Sequence, residues 1–280
     1  MAKRKNNPNN ENLYQSQKIK ISQIEKLTDQ IKLYTFKIQS GFAASSKFHF
    51  SAGQFIMLSV PGVGEAPFAP CSDPAKTNTF QLLIRKVGLV TSALDKLKTN
   101  DLVEFRGPYG NGFPTNKLFK KDLILVAGGT GIAPIASLIK FIISRRRRFG
   151  KTYLLYGAKN PAELLLKKRY LQWQKRINFL PCVEEKDSQW SGDTGMVTEL
   201  CIKVQTNPEK TIVAMAGPPL MYQFVSQKLA ESRIKSEQIY VTAETRMKCG
   251  IGKCQHCTIG KHYACLDGPV FRYDEVEKNL

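Results

Sequence analysis

The segment Leu123-Ile-Leu-Val-Ala-Gly-Gly-Thr-Gly-Ile-Ala-Pro134 joins an apolar run to a glycine-rich turn, and apolar residues continue to Ile143. The whole stretch is long enough to suggest a membrane span. Its glycines, its proline and the charge of Lys140 are instead typical of a buried strand, a tight turn and a helix. We therefore expect a soluble protein in which this segment begins an α/β domain.

Strand and helix patterns alternate through the rest of this region. We predict strands at 123–127, 152–156, 178–183, 212–216 and 239–243, with helices at 133–148, 162–174 and 219–231. Strands that alternate with helices imply a doubly wound parallel sheet covered on both faces.

Between Ile19 and about Phe113 the sequence has a different rhythm, in which turn residues break short apolar runs. The strands predicted here are 33–38, 55–60, 80–85 and 102–105. Regularly spaced strands with little helix predict a small antiparallel barrel or sandwich.

The chain of 280 residues is long enough for two domains, each with its own core. We divide it into a disordered polar tail at 1–17, an antiparallel β-barrel at 18–117, a parallel α/β domain at 118–244 and a cysteine-bearing segment at 245–280. The predicted fold class is thus β plus α/β.

The formal net charge of +19 suits nucleic acid, anionic lipid, or acidic partners and anionic cofactors. The only compact basic run, Arg145 to Arg148, closes a predicted helix, where cations favour the negative end of the helix dipole. Since no RNA-binding signature or helix-turn-helix pattern is visible, we do not expect a nucleic-acid partner.

Four of the seven cysteines lie within seventeen residues, at Cys249, Cys254, Cys257 and Cys265. No secretory signal pattern is visible at the N-terminus, so we expect reduced thiols in a cytoplasmic protein. Four thiolates bind either a zinc ion or an iron-sulfur cluster.

Four residues separate Cys249 from Cys254, and two separate Cys254 from Cys257. This order of spacings resembles the plant-type 2Fe-2S loop. Gly250 and Gly252 would form the turn that brings backbone N–H groups to the sulfurs. Zinc stays open on the loop alone, because the segment from Cys254 to Cys265 includes His262 and is close to a zinc knuckle.

Ligands of doubly wound sheets bind at the carboxyl ends of the strands, near the point where strand order reverses. Glycines there let the backbone approach a pyrophosphate, and the N-terminus of the next helix attracts its charge. A glycine-rich turn alone is a weak signal, because it can be simply a tight turn. The predicted lining residues are Gly128, Gly129, Thr130, Gly131, Tyr156, Gly157, Gly217, Pro218 and Pro219.

Together these motifs resemble the ferredoxin-NADP reductase superfamily, and specifically its electron-transfer subunits with a C-terminal 2Fe-2S loop. Examples are the gamma subunit of sulfhydrogenases, the B subunit of anaerobic sulfite reductase and the electron-transfer subunit of dihydroorotate dehydrogenase. The resemblance runs from about Lys18 to Phe271, and it favours the cluster over zinc. Its motifs occur in the family's order at 67–72, 106–113, 128–134, 216–219 and 247–254.

The resemblance implies an FAD in the barrel and a nicotinamide nucleotide in the second domain. It places Cys71 beside the flavin, and it implies catalytic positions at Phe68, Ala69 and Ala216. The residues it assigns to the flavin ring, ribityl chain and pyrophosphate are Pro67, Phe68, Ala69, Leu83, Ile84, Arg85, Gly88, Thr91 and Ser92.

Three positions depart from the superfamily pattern. Ala66 and Ala69 stand where an Arg and a Ser are common at the flavin, and Ala216 stands where a Cys lies near the nicotinamide. We expect slower or retuned hydride transfer, since that chemistry depends mainly on cofactor positioning.

Nucleotide preference follows from the charged residues that come after the second and third predicted strands of the α/β domain, 152–156 and 178–183. Glu184 and Glu185 suit the free ribose diol of NADH, whereas Lys159 suits the 2′-phosphate of NADPH. On balance these residues favour NADH over NADPH.

The function implied is a flavin-dependent oxidoreductase subunit for electron transport. It takes a hydride from NAD(P)H to FAD and passes single electrons through the 2Fe-2S cluster to a hydrogenase-, sulfite reductase- or dihydroorotate dehydrogenase-like partner. The alternatives are a stand-alone NAD(P)H oxidoreductase of small acceptors and a non-enzymatic binding module built on the cysteine loop.

Overall fold

The computed structural model of the protein describes residues 12–39 and 48–280. Its first sheet has six strands in the order β4-β3-β6-β1-β2-β5, and every neighbouring pair is antiparallel. A bridge between Pro70 and Leu82 brings the two edges together, so the sheet closes toward a barrel. The elements are β1 (Gln17–Lys26), β2 (Ile31–Ile38), β3 (Phe55–Val60), β4 (Gly64–Phe68), β5 (Thr79–Arg85), α1 (Leu89–Lys96) and β6 (Leu102–Tyr109).

The second sheet has seven strands in the order β10-β9-β8-β7-β11-β12-β15, and only β15 runs antiparallel to its neighbour. The predicted fold class is confirmed. The elements are β7 (Asp122–Gly128), α2 (Ile132–Ser144), β8 (Thr152–Ala158), α3 (Tyr170–Gln174), β9 (Asn178–Val183), β10 (Asp193–Thr194), β11 (Thr211–Ala216), α4 (Pro219–Glu231), β12 (Ile239–Thr242), the hairpin strands β13 (Thr258–Ile259) and β14 (His262–Tyr263), β15 (Val270–Arg272) and α5 (Tyr273–Val276).

The central strand β7 is buried on both faces, as its unbroken apolar sequence predicts. Leu123 and Leu125 pack in one core with α2, while Ile124 and Val126 pack in another with α4. Successive side chains of a strand point to opposite faces, so a run of apolar residues lets helices cover both sides.

Several predicted elements differ in extent from those observed. The predicted helix 162–174 is helical only in α3, because Leu166 adopts a left-handed backbone conformation with φ 59° that interrupts the helix. The helix predicted at 133–148 ends at Ser144, and a 3₁₀ turn follows. The strands β1, β4 and β15 and the helix α1 have no counterpart among the predicted elements.

The predicted N-terminal tail lies partly outside the described residues, at positions 1–11. Its described part is packed against the protein: the Tyr109 hydroxyl donates a hydrogen bond to the Leu13 carbonyl at 2.5 Å. Gln17 already belongs to β1. No helix in the described ranges is long and apolar enough to span a membrane.

The two domains share one apolar core. Tyr34 and Phe36 of β2 point into the barrel, whereas Leu33 and the outward Leu83 of β5 join the core of the α/β domain. The interrupted segment Leu164–Leu166 packs in that same core. Its burial explains why local helix propensity gives way here.

Arg169 ties the domains together beside this core. Its guanidinium donates hydrogen bonds to the Cys71 carbonyl at 2.6 Å and to the Gln81 amide oxygen at 2.7 Å. Nearby, Lys168 and Glu25 form an ion pair at 3.0 Å. The Cys71 side chain is fully buried at this domain interface, and burial raises the pKa of its thiol.

Replacing Arg169 by Met should destabilise the protein while keeping most of the side-chain volume. Two acceptors at the domain interface would lose their donor, so we expect a loss of about 1–3 kcal/mol. The lower midpoint of chemical denaturation measures this, with the exposed Arg147→Met as control. Equal midpoints for both variants would show that Arg169 does not hold the interface.

Candidate functional site

A cavity of about 430 Å³ opens at the carboxyl ends of β7, β8, β11 and β12. A cleft of this size suits a small ligand or part of a dinucleotide. Arg85 reaches it from the barrel, so both domains contribute to its wall. Of the predicted site residues, those that line it are Arg85, Gly128, Gly129, Thr130, Gly131, Gly157, Gly217, Pro218 and Pro219.

The glycines of this cavity are required because two loops approach each other closely. A Cβ atom at Gly131 would lie 2.1 Å from the Ala216 carbonyl oxygen, and one at Gly217 would lie 2.7 Å from Met221 Cε. A side chain at Gly131 would overlap the backbone, whereas at Gly217 the flexible Met221 side chain could move and the nearest backbone atom, Gly128 N, would lie 3.1 Å from the Cβ. The backbone itself therefore forms the wall of the cavity there.

The helix α2 begins directly after this glycine turn. Its first turn carries no acidic residue, and no side chain caps its first N–H groups. The Ile132 N–H already donates to the Gly129 carbonyl and Pro134 has no N–H, but the positive end of the helix dipole still attracts an anion. The turn and helix start therefore fit the pyrophosphate of a nucleotide.

Tyr156 and Ala216, both predicted at the site, are buried behind the cavity wall. The Tyr156 hydroxyl donates to the Gly129 carbonyl at 3.2 Å and accepts from the Leu165 N–H at 3.0 Å. Burial raises the pKa of this hydroxyl. Tyr156 thus positions the glycine turn, and the Ala216 side chain lies in the core.

Sequence reasoning missed several residues of the cavity wall, among them Tyr222 and Glu244. The Tyr222 hydroxyl accepts from the Gly217 N–H at 2.8 Å and donates to the Thr242 carbonyl at 2.8 Å, which fixes the loop before α4. Glu244 also lines the cavity, and burial raises the pKa of its carboxyl. Neither residue belongs to a spacing pattern, so no sequence signal marked it.

The predicted flavin-side residues lie on β4, β5 and the start of α1. Phe68 packs against the barrel core, while Pro67 and Ala69 are half-buried. Leu83 and Ile84 are buried on opposite faces of β5. Only Arg85 of this group extends into the cavity.

The start of α1 fits a second anionic group. A Cβ at Gly88 would meet open space, and the first turn of α1 has no acidic residue. The Thr91 hydroxyl accepts from the Gly88 N–H at 2.9 Å, so it shapes the turn, and Ser92 is half-buried one residue further on. The Thr245 hydroxyl, next to the cavity residue Glu244, is buried without a hydrogen-bond partner among the described residues. These features fit FAD.

The cysteine loop, residues 249–265, directs backbone N–H groups at its sulfurs. Cys249 Sγ accepts from the N–H groups of Ile251, Lys253 and Cys254 at 3.3–3.5 Å. Burial raises the pKa of the Cys249 thiol, but these donors outweigh it and lower the pKa to about 7. The backbone donors therefore favour the thiolate of Cys249, the form that binds metal, whereas burial and the neighbouring Cys257 raise the pKa of the Cys265 thiol to about 12.

The four thiols are arranged as two pairs. Cys257 Sγ lies 3.3 Å from Cys265 Sγ, and Cys254 approaches Cys249 through both its N–H and its thiol. In the described ranges no three His, Cys, Asp or Glu side chains are arranged around a single metal ion. A two-iron cluster takes a pair of thiolates for each iron. The arrangement fits the cluster.

The cysteine loop packs directly on the barrel. A Cβ at Gly250 would lie 3.1 Å from Met57 Cγ of β3 and 3.3 Å from Tyr109 Cδ2 of β6. Met57 pairs across the sheet with Pro67 of β4. The loop is thus one strand away from the predicted flavin-side residues.

Three family models match consecutive parts of the chain. An oxidoreductase FAD-binding domain matches residues 18–113, an oxidoreductase NAD-binding domain matches 125–227, and the iron-sulfur cluster binding domain of dihydroorotate dehydrogenase B matches 244–277.

Curated relatives match nearly the whole chain. Sulfhydrogenase 1 subunit gamma of Pyrococcus furiosus is 38% identical, over 95% of this chain and 94% of the relative. Sulfhydrogenase 2 subunit gamma of the same organism is 35% identical, over 94% and 96%. The probable dihydroorotate dehydrogenase B (NAD(+)) electron transfer subunit of that organism is 35% identical, over 82% and 83%.

A solved structure of an NADH-dependent reduced ferredoxin-NADP oxidoreductase has the same fold. Its TM-score is 0.74 at 22% sequence identity, with 94% of this chain and 92% of that chain covered.

Replacing Gly131 by Ala should separate the two loops of the cavity. The added Cβ has no room beside the Ala216 carbonyl, so we expect nucleotide affinity to fall by about tenfold or more, since a displaced loop loses its contacts. Flavin reduction titrated with NADH measures this. The FAD content should stay at the wild-type level, because Gly131 lies in the other domain; wild-type affinity would contradict the tight contact.

Proposed function

This chain belongs to the family of FAD- and NAD-binding oxidoreductases with a C-terminal iron-sulfur domain, and we propose that it is the NADH-oxidising subunit of a larger enzyme. In this role it passes single electrons to a catalytic partner. The observation that carries the proposal is the packing of the cysteine loop on β3, next to the flavin-side strand and in the same body as the nucleotide cavity.

The resemblance seen in the sequence is confirmed at the level of family and cofactors. The chain is an oxidoreductase for electron transport that uses FAD, a nicotinamide nucleotide and an iron-sulfur cluster. Its relatives are named as subunits of sulfhydrogenases and of dihydroorotate dehydrogenase B. We place the chain in the cytoplasm, where thiols such as its free cysteines stay reduced.

We assign the nucleotide to the cavity between the glycine turn and the loop before α4. The glycine turn and the positive end of the α2 dipole would lie next to its pyrophosphate, and Tyr156 and Tyr222 hold the two loops in place. Fixed backbone donors bind the nucleotide without reorganising, which favours a reproducible orientation of the nicotinamide.

We assign the flavin to the seam between β4, β5 and the start of α1. The open space at Gly88 admits its diphosphate, and Arg85 offers a cation where the two cofactors approach. Ala69 and Ala216 provide no polar side-chain atom, so positioning here falls to the backbone and to neighbours such as Glu244.

The four loop cysteines are assigned to a 2Fe-2S cluster. Backbone N–H groups hold Cys249, and the Gly252 N–H donates to Cys265 Sγ at 3.1 Å. When bound, FAD converts the paired electrons of the nicotinamide into the single electrons that such a cluster carries.

The relatives indicate the kind of partner. The match to the two sulfhydrogenase gamma subunits extends over 94–95% of this chain, against 82% for the dihydroorotate dehydrogenase B subunit. We therefore favour a hydrogenase-like catalytic subunit over one of the dihydroorotate dehydrogenase or sulfite reductase type.

The proposal is tested by anaerobic visible spectra of the purified protein before and after NADH is added. We expect flavin and cluster absorption that bleach together. Cys254→Ser should lose the cluster bands and still show flavin bleaching, whereas the Cys201→Ser control, outside the loop, should keep both. A colourless protein that contains zinc would overturn the proposal, and turnover of small acceptors undiminished in Cys254→Ser would favour the stand-alone enzyme.

Nucleotide preference is tested at Glu184, which lines the cavity beside Lys159. Lys159 is paired with Glu185 at 3.6 Å, and both are well exposed, so Glu184 is the carboxylate free to accept from a ribose diol. Glu184→Ser should lower the ratio of kcat/KM for NADH over NADPH by about fivefold or more. The remote Glu237→Ser should leave it unchanged; an equal change in both variants would contradict the assignment.

A further inference from the structure

The segment Thr245–Leu266 contains four Lys or Arg residues and no Asp or Glu. All four side chains, Arg246, Lys248, Lys253 and Lys261, are exposed. None of them forms an ion pair within the part of the chain that the structure describes. The segment therefore carries four cations without an ion pair, and Glu244 and Asp267 lie at its two ends.

Exposed apolar side chains lie beside these cations. Leu266 is 53% exposed, directly after Cys265, and its side chain covers Gly252, where a Cβ would lie 2.1 Å from it. Leu13 and Tyr14 of the N-terminal segment are 48% and 47% exposed. An apolar centre with a charged rim is the usual composition of a transient protein interface.

The N-terminal segment is held against the cysteine loop by specific contacts. Lys253 Nζ lies 4.8 Å from the centre of the Tyr14 ring, and the Arg106 guanidinium lies 5.7 Å from that same centre. The Tyr109 hydroxyl bonds the Leu13 carbonyl. The N-terminal segment is thus in contact with the cysteine loop at Lys253 and with the barrel at Arg106 and Tyr109.

Arg106 contributes little to the charge of this surface. It is only 6% exposed, and its guanidinium binds both carboxylate oxygens of Glu65 at 2.6–3.2 Å. The positive potential therefore comes from the lysines at the rim.

The compact run of four arginines at the end of α2 is used differently. Arg146 donates to the carbonyls of Phe149, Gly150 and Arg176, and the guanidinium groups of Arg145 and Arg148 lie over phenylalanine rings. Arg145, Arg146 and Arg148 thus stabilise the end of the helix, whereas Arg147 is exposed. The density of charge along the sequence alone would have suggested this run of arginines as the docking surface.

We propose that Leu13, Tyr14, Lys248, Lys253 and Leu266, here called the loop patch, form the docking surface for an acidic face of the redox partner. The inference rests on the proposed function and adds the place and chemistry of the contact. Carboxylates on the partner would meet the lysines, and its apolar residues would meet Leu266 and Tyr14. Opposite charges speed the encounter, and an apolar centre excludes water from the contact.

The test uses the full chain loaded with FAD and cluster, and two haem proteins of opposite surface charge as electron acceptors. Acidic cytochrome b5 and basic cytochrome c change colour on reduction, so the rate of each transfer is read directly. We expect the wild-type rate with cytochrome b5 to fall as salt is added and the rate with cytochrome c to rise or stay level.

The decisive variant is Lys248→Glu with Lys253→Glu. The second-order rate with cytochrome b5 should fall by about tenfold or more at low salt, because attraction becomes repulsion. The matched control, Lys98→Glu with Lys175→Glu, changes the net charge equally at exposed sites outside the patch and should stay within about twofold. Iron content and flavin bleaching by NADH are measured on every variant.

A second variant, Leu13→Glu, avoids the cysteine loop altogether. It places a carboxylate on the loop patch and should slow cytochrome b5 reduction by about threefold or more. Wild-type rates in the double variant with cluster intact, or equal losses in the matched control, would overturn the proposal. Failure of NADH to bleach the wild-type protein would instead refute the proposed function, so the two failures are distinguishable.

Discussion

The shared core between the two domains is the contact on which the rest of the structure depends. The strands β2 and β5 are buried on both faces, so that Leu33 and Leu83 pack against the α/β domain while their neighbours fill the barrel. A slip of such a strand by one residue would exchange the side chains packed in the barrel for those packed against the α/β domain, and each close-packed core is shaped for its own set. Arg85, the next outward residue of β5, is therefore held at the cavity mouth.

The cysteine loop is also packed against the barrel, through strand β3. Met57 and Phe55 of β3 share a core with Cys257, Cys265 and Met247. The loop has almost no regular structure, and its sulfurs are held by backbone donors rather than by helices or strands. Packing against this core holds the loop in one conformation, so that its thiols stay paired.

The charged side chains of the protein fall into two groups: those whose contacts stabilise the fold, and those that form no ion pair. Arg145, Arg146 and Arg148 at the end of α2, together with Arg169, satisfy carbonyl groups or cover aromatic rings, and they act in folding. Near the cysteines, Lys253 lies over the Tyr14 ring, but neither it nor Lys248 forms an ion pair among the described residues. The net charge of +19 therefore says less about function than the location and contacts of the individual cations.

The sequence by itself determined the features that depend on local pattern. The apolar run before Gly128, the alternation of strand and helix, the spacing of the four cysteines and the order of the motifs were all visible without coordinates. These features follow from side-chain periodicity and from the conformational freedom of glycine, which act over a few residues.

Only the tertiary structure decided the features that depend on distant residues. It interrupted the helix predicted at 162–174, because burial of Leu164–Leu166 against the barrel outweighs helix propensity. Tyr156, which was predicted to line the cavity, instead supports the glycine turn. The structure also showed that Arg169 joins the two domains and that Tyr222 holds the loop before α4. Contacts between residues far apart in sequence leave no periodic signal, and their energies exceed the small local preferences that a sequence pattern reports.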